Sequence, residues 1–396
     1  MQQHTRLGET TGRRQQVFGM YDADRLSHTY IVGATGSGKT SLMEMMIQDD
    51  IARGLGVIVL DPHGDLASRL NRRYETMTAF RYIDIADPAC DVGFNPVRGV
   101  KRDFIPLVVS GLIDSLRNLF ADAWGTRMEG TLRAALYAIV EAGDGVLSDV
   151  TRILYDTDYR REVIDRIENE EVKRYWRYEF PSIHPRMRAE MSLPIQTKIS
   201  AILCDPRLQQ LLTRKWNVLR FRKLMDEQRV TVINLAKGRL GVDSSSLIGS
   251  LMLTAVTMAA LSRADVAENQ RKTVMVYLDE AHLLTTATIA EMVTELRKYG
   301  VGLCLAHQVT TQFGRDVRET ILGTVGSVIT FRSGLEDAKY FAARFGSPIT
   351  PQDLLNLPAR NAYAQLLVNG EVTPVFSFKT LPVAETNQNE NNRPVS

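Results

Sequence analysis

The stretch Gly33-Ala34-Thr35-Gly36-Ser37-Gly38-Lys39-Thr40 constrains this chain most, because it matches G-x-x-x-x-G-K-[ST] at every fixed position. Glycines at that spacing let a loop wrap so that backbone N–H groups point inward at phosphates. The lysine then reaches the β- and γ-phosphates, and the final hydroxyl binds Mg²⁺. Such a loop needs a strand before it and a helix after it. The apolar run Thr29–Val32 precedes it, and Ser41–Ala52 reads as a helix. Residues Gly33 to Thr40, with Ser41, are therefore candidate ATP-binding residues, Lys39 is a catalytic candidate, and Thr40 is a candidate Mg²⁺ ligand.

Further short apolar runs follow at Gly56–Leu60, Val230–Leu235, Val274–Leu278, Val301–Ala306 and Ser327–Phe331. Near-continuous runs separated by helical stretches read as buried parallel strands of an α/β sheet. Each ends in a polar group: Asp61, Lys237, Asp279-Glu280, His307-Gln308 and Arg332 in turn. Ligands of open α/β sheets bind at the carboxyl ends of the strands, so these groups are placed to share one site. At the end of a strand in P-loop enzymes, one acid holds Mg²⁺ and a second residue orients the attacking water. Asp279 is the candidate metal ligand and Glu280 the candidate for the water. Gln308 can hydrogen-bond the γ-phosphate or the water. His307 reads as structural, Asp61 as a supporting residue, and Asp61-Pro62-His63-Gly64-Asp65 lacks the ligands for a metal site of its own.

Between the second and third runs, Lys101 to Asp226 shows no convincing strand. Ile105–Phe120, Arg127–Ala142, Tyr159–Phe180 and Pro194–Leu212 carry apolar residues at helical spacing. The fold class expected is thus α/β: a P-loop NTPase of RecA-like type with a mainly parallel sheet and an inserted all-α domain. Residues 1–100 and 227–380 form the nucleotide-binding motor domain, 101–226 the insertion, and 381–396 a tail too polar to pack. Three cysteines, Cys90, Cys204 and Cys304, lie too far apart for a local zinc site or disulfide framework. The apolar stretch Leu247–Leu261 is interrupted by Ser250, Thr254 and Thr257 and reads as a buried helix rather than a membrane span. The polar N-terminus has no signal-peptide core. The expectation is a cytoplasmic chain that reaches a membrane only through a partner.

Taken with Asp24-Arg25 and His28, Val57 through Leu66, Gly93-Phe94-Asn95-Pro96, Trp124-Gly125-Thr126-Arg127-Met128-Glu129, Arg297-Lys298-Tyr299-Gly300, Ala306-His307-Gln308 and Phe331-Arg332, these motifs resemble the HerA/FtsK superfamily of ring-forming DNA motors. Within it the chain is most similar to the TraG/TraD-like coupling-protein ATPases of conjugation and type IV secretion, over roughly residues 8–375. The resemblance implies ATP and Mg²⁺ as cofactors, a homo-oligomer of six subunits around a DNA channel, and an arginine finger supplied between subunits. It puts that finger at Arg297; Arg332 is a second candidate for the role. A relaxosome, a secretion channel or a nuclease would be the partner. Coupling proteins of conjugation usually carry N-terminal transmembrane helices, which this sequence does not display.

A net charge of +2 is too small to argue for nucleic acid by itself. Locally, Val172 to Lys223 holds twelve Lys and Arg against three acids, with Tyr175, Trp176, Tyr178, Trp216 and Phe221 interleaved. Such a surface suits phosphates and unstacked bases. Lys237, Arg239 and Thr310 to Arg315 follow strands and are better placed to line a channel. The leading reading is an ATP-driven DNA translocase. The alternatives are a HerA-like motor that feeds DNA to a separate nuclease, and a nucleotide-gated recruitment module that moves nothing.

Overall fold

Strands buried on both faces carry near-continuous apolar runs, and each of the six runs is a strand in the computed structural model, which describes residues 4–12, 15–120, 124–216, 219–284 and 286–383. In chain order the strands are β1 (His4–Thr10), β2 (Val17–Tyr21), β3 (Thr29–Val32), β4 (Gly56–Asp61), β5 (Phe80–Asp84), β6 (Val230–Asn234) and β7 (Val274–Leu278). They continue with β8 (Val301–His307), β9 (Ser327–Thr330), β10 (Asn361–Gln365), β11 (Leu367–Val368), β12 (Glu371–Val372) and β13 (Phe376–Thr380). Eleven of them form one sheet in the order β2-β1-β13-β10-β9-β3-β8-β7-β4-β6-β5, and β11 pairs with β12 apart from it. From β9 to β5 every pairing is parallel. From β9 outward through β10, β13, β1 and β2 every pairing is antiparallel.

The loop and acid strands sit in the middle of this order. β3 lies between β9 and β8, with β7 one strand further. The helix Lys39–Ala52 covers one face, where Leu42, Met46, Val59, Tyr277, Ile329 and Phe378 share an apolar cluster. On the other face Leu60, Leu278 and Leu305 join a cluster that runs on into Leu112, Leu136 and Leu208. The helix Val242–Leu261 lies in that cluster through Leu247, Ile248, Leu251 and Met252. Its stretch 242–265 is long and apolar enough to cross a membrane, but 67% of its apolar 18-residue window is buried, as expected of a core helix.

Among the described residues, 101–226 contain helices and no strand. Two helix limits differ from those read in the sequence. Instead of one helix over Tyr159–Phe180, Thr157–Arg166 ends and Glu170–Arg174 starts afresh. Asn169 makes the break, accepting hydrogen bonds from the N–H groups of Glu171 and Val172 as an N-cap. Instead of Pro194–Leu212, one helix spans Pro185–Leu203 with Pro194 inside it. A second helix, Pro206–Thr213, begins at the Asp205-Pro206 start signal, where Asp205 accepts from Arg207 N–H at 2.9 Å. Most of the tail, from 384 onward, lies outside the described residues.

A buried ionic knot ties the antiparallel edge to the phosphate-loop helix. Arg25 and Asp50, 1% and 0% exposed, meet at 2.6 and 2.9 Å, and Tyr277 donates to Asp50 at 2.5 Å. Thr5 of β1 donates to Asp50 at 3.0 Å. Removing one partner of a buried pair leaves the other charge uncompensated, at a cost of about 3–5 kcal/mol. Asp50→Ala should therefore lose about that much stability in denaturant titration. Loss under about 1 kcal/mol would mean that Arg25 finds other partners or water.

Candidate functional site

The chain leaves β3 at Gly33 and enters a helix at Lys39, so the phosphate loop lies at the carboxyl edge of the parallel strands. Gly36 and Gly38 take φ of 73° and 121°, which side-chain-bearing residues rarely adopt. The Lys39 ammonium is buried and donates to the carbonyls of Gly33 at 2.6 Å and Ala34 at 3.2 Å. Burial lowers its pKa, while Glu280 and Asp279 oppose the shift. Ser37 is buried, and its Oγ has no hydrogen-bond partner among the described residues. Thr35 is exposed, and Ser41 is half-buried beside Thr40.

The acid pair arrives from β7. Thr40 Oγ1 donates to Asp279 Oδ2 at 3.3 Å, joining the loop helix to the strand end. Successive strand side chains point to opposite faces, so neighbouring acids need a turn to share a site. Glu280 supplies it with φ of 46°, in the left-handed region. Asp279 Oδ1 accepts the Glu280 N–H at 3.0 Å, and Glu280 Oε1 accepts from Gln308 Nε2 at 2.7 Å. Burial raises the Asp279 carboxyl to about 6, helped by the charges of Asp61 and Glu280. Glu280 Oε2 is buried with no hydrogen-bond partner among the described residues. A cluster of buried acids beside a hydroxyl and an ammonium can receive a divalent cation with a phosphate ester. Mg²⁺ is commonly held by few protein ligands together with substrate phosphates. Thr40 and Asp279 fit that role here.

Other candidates divide. Asp61 accepts from His63 N–H and Ala67 N–H at 3.0 and 2.9 Å, so it caps the helix Asp65–Tyr74 and acts on Asp279 only through its charge. Among the described residues no three or more His, Cys, Asp or Glu side chains gather to hold a metal ion by themselves, at Asp61-His63-Asp65 or elsewhere. His307 is buried and bonds the Tyr30 hydroxyl at 2.7 Å, a packing role. Arg297 lies just before β8, at the opposite edge of the sheet from its own phosphate loop. It is exposed, with no ion pair among the described residues. Arg332 instead stands against its own loop, its carbonyl accepting from Ala34 N–H at 2.7 Å.

The DNA-facing candidates are more restrained than the sequence suggests. Arg239 pairs with Asp84, whereas Lys237 is half-exposed at the site edge, its N–H donating to Pro62 O at 2.9 Å. Thr310 is fixed to Asp337, and Arg315 pairs with Glu319 at 2.9 Å. In the basic segment Lys173, Arg174, Arg177, Arg186, Arg207, Arg214, Arg222 and Lys223 all have acidic partners. Trp176 and Phe221 are buried, while Tyr178 and Trp216 are exposed. Two residues near the site were not picked out in the sequence. His282 Nδ1 stands 3.4 Å from Glu280 Oε2, and Arg360 touches the phosphate loop. The first is signalled by its distance of two residues from Glu280; the second has no local signal.

A phosphate loop in the middle of a parallel sheet, facing an acid pair one strand beyond its neighbour, defines a P-loop ATPase fold. The chain belongs to the family described as the helicase HerA central domain, which matches residues 6–256. Its fold is similar to the plasmid coupling protein TrwB in complex with ADP and Mg²⁺, with a TM-score of 0.68 at 15% identity over 98% of this chain and 97% of that one. VirB4 of Thermoanaerobacter pseudethanolicus gives 0.63 at 15% identity, covering 95% and 96%. In sequence the chain is 21% identical over 346 residues to the DNA import protein CedB of Sulfolobus acidocaldarius, covering 85% of this chain and 48% of that protein. It thus spans about half the length of this curated relative.

Two buried histidines give the fold an acid limit. Burial lowers His307 to about 3 and His28 to about 4, so both are neutral in the folded chain. The unfolded chain protonates them near 6.5, so it binds more protons and stability rises with pH across this window. Their contribution is complete above about pH 6.5 and is lost as pH falls toward about 4 and then 3. Melting temperature should fall over that range, and less steeply in His307→Gln. An equal slope in both would rule out His307 as a source.

Proposed function

We propose that this chain is one subunit of a ring-forming ATPase that moves DNA, with ATP and Mg²⁺ bound at the phosphate loop. The observation that carries the reading is the convergence of Thr40, Asp279, Glu280 and Gln308 within hydrogen-bond reach of one another. ATP supplies the phosphoryl bond to be broken, and Mg²⁺ its charge neutralisation. Lys39 and the loop N–H groups of Gly33 to Thr40 hold the phosphates, with Ser41 continuing the cradle. Thr40 and Asp279 hold the cation. Glu280 orients the water, and Gln308 fixes the Glu280 carboxylate and senses the γ-phosphate. Glu280 Oε2, which makes no hydrogen bond among the described residues and has His282 Nδ1 at 3.4 Å, is the oxygen assigned to the water.

Arg297 is the finger offered to the neighbouring subunit, which its position on the far edge of the sheet supports. Residues 1–100 and 227–380 act as the motor and 101–226 as an inserted helical domain. DNA transport is supported by the likeness to a coupling protein and to a DNA import protein. A cytoplasmic motor that meets a membrane, relaxosome or secretion channel through a partner fits this reading. A second reading is a HerA-like motor that feeds DNA to a separate nuclease; the match to the helicase HerA central domain supports its motor part.

ATP turnover with and without DNA, measured on the sized oligomer, tests the proposal. Turnover should rise with DNA, and bound roadblocks should be displaced. DNA binding without either would leave a recruitment module. Lys39→Ala should lose nucleotide binding, whereas Glu280→Gln should keep ATP bound and slow hydrolysis by about 10²–10⁴-fold. Wild-type turnover in Glu280→Gln would remove that residue from the water.

The ring has its own test. Arg297→Ala and Glu280→Gln subunits should each be inactive alone, yet hydrolysis should partly return in mixed rings. There an intact Glu280 can face an intact Arg297 across one interface. Mixed rings that form and stay inactive at every ratio would return Arg297 to a structural role.

A further inference from the structure

A nucleoside triphosphate has two ends, and the strand order assigns each a side of β3. Gln308 follows β8, and Asp279 and Glu280 follow β7, so the γ end of a nucleotide on the loop points toward those strands. Its nucleoside end leaves on the opposite side, where β9 ends and β10 begins. Arg332 follows β9 there, and Arg360 precedes β10.

Both are locked to the loop by their backbones. Arg332 O accepts from Ala34 N–H at 2.7 Å, and Arg360 N–H donates to Ser37 O at 2.7 Å. A Cβ at Gly38 would stand 3.2 Å from Arg360 Cα, so this glycine also makes room for the arginine's backbone. Arg360 itself sits at φ of 64°, a left-handed conformation that side chains other than Asn, Asp and Gly seldom adopt. It is held there from both ends, since Thr380 N–H donates to Arg360 O at 2.9 Å. Both side chains are exposed, and neither guanidinium has an ion pair or hydrogen bond among the described residues. A strained, non-glycine turn that fixes a free arginine against a phosphate loop is unusual for a solvated surface residue.

We propose that Arg360, with Arg332 beside it, holds the α-phosphate and nucleoside of the bound nucleotide. A guanidinium forks onto phosphate oxygens and stacks on a purine face, which a lysine in the same place does less well. The assignment rests on the nucleotide reading of the loop. It adds a half of the site that the sequence motif does not reach, delivered by the antiparallel edge of the sheet.

Calorimetric titration of the full chain with ATP and with ADP, both with Mg²⁺, tests it. Arg360→Gly suits the backbone conformation and removes only the side chain; Arg360→Lys keeps the charge without the fork. Arg360→Gly should weaken ATP and ADP by the same factor, about tenfold, with a melting temperature no lower than that of the wild type. Arg360→Lys should fall between it and the wild type. Loss confined to ATP would put Arg360 at the γ end and overturn the assignment, as would wild-type affinity in Arg360→Gly. A wild-type chain that binds neither nucleotide would instead overturn the nucleotide reading itself.

Discussion

Parallel strands buried on both faces must bring their carboxyl ends to a common edge, and the organisation of this molecule depends on that constraint. The phosphate loop, Asp61, the acid pair and Gln308 come from four different strands, separated by as many as 275 residues between Gly33 and Gln308. None of them is near another in the chain except Asp279 and Glu280. The hydrogen bond from Thr40 to Asp279 joins parts 239 residues apart directly. It couples the first turn of the loop helix to a strand two places away in the sheet. Any shift of β7 against β3 is therefore felt at Thr40 and Asp279.

The same constraint explains what could be read from the sequence. Strands buried on both faces carry apolar runs with hardly a polar residue, and β3, β4, β6, β7, β8 and β9 stood out on that ground. The others lacked that signal. β10 alternates buried and half-buried residues, and β5, at the sheet's edge, has a single buried position. Such strands resemble polar loops in composition, and their pairing across hundreds of residues leaves no local mark. Helix interiors were legible through apolar spacing, but the breaks at Asn169 and Asp205 depend on single side-chain caps. Periodicity runs straight across such caps. The phosphate loop and acid pair were legible because their chemistry is local; Arg360 was not, because only the antiparallel edge delivers it.

Charge counting along the chain misled in one respect. The basic segment from Val172 to Lys223 looked like a nucleic-acid surface, but acids outside its limits fold back onto it. Asp165 pairs with Arg177, Asp91 with Arg214, and Asp265 with Arg222. Exposed pairs of this kind contribute little stability, about 0–1 kcal/mol each, yet they lower the field that DNA would meet. Lys215 and Arg220 stay outside these pairs and line a cavity of about 520 Å³ together with Phe94, Leu251 and Met258.

The electrostatics of the site are consistent with one purpose. Asp279, raised to about 6 by burial and by the charges of Asp61 and Glu280, is held in a place where its ionised form is disfavoured. Lys39 is disfavoured as a cation by its own burial, and it turns back onto the carbonyls of Gly33 and Ala34. Unpaired or crowded charges like these raise the free energy of the folded chain on its own. A ligand that carries both a divalent cation and phosphate oxygens relieves both at once, the cation for the carboxylates and the oxygens for the ammonium. Binding of that kind adds to stability as well as to occupancy, because the unfolded chain has no such site. The strained turns at Glu280 and Arg360, on opposite sides of β3, then belong to one design. On the nucleotide reading proposed above, each spends backbone energy to aim a charged side chain at a different end of the same molecule.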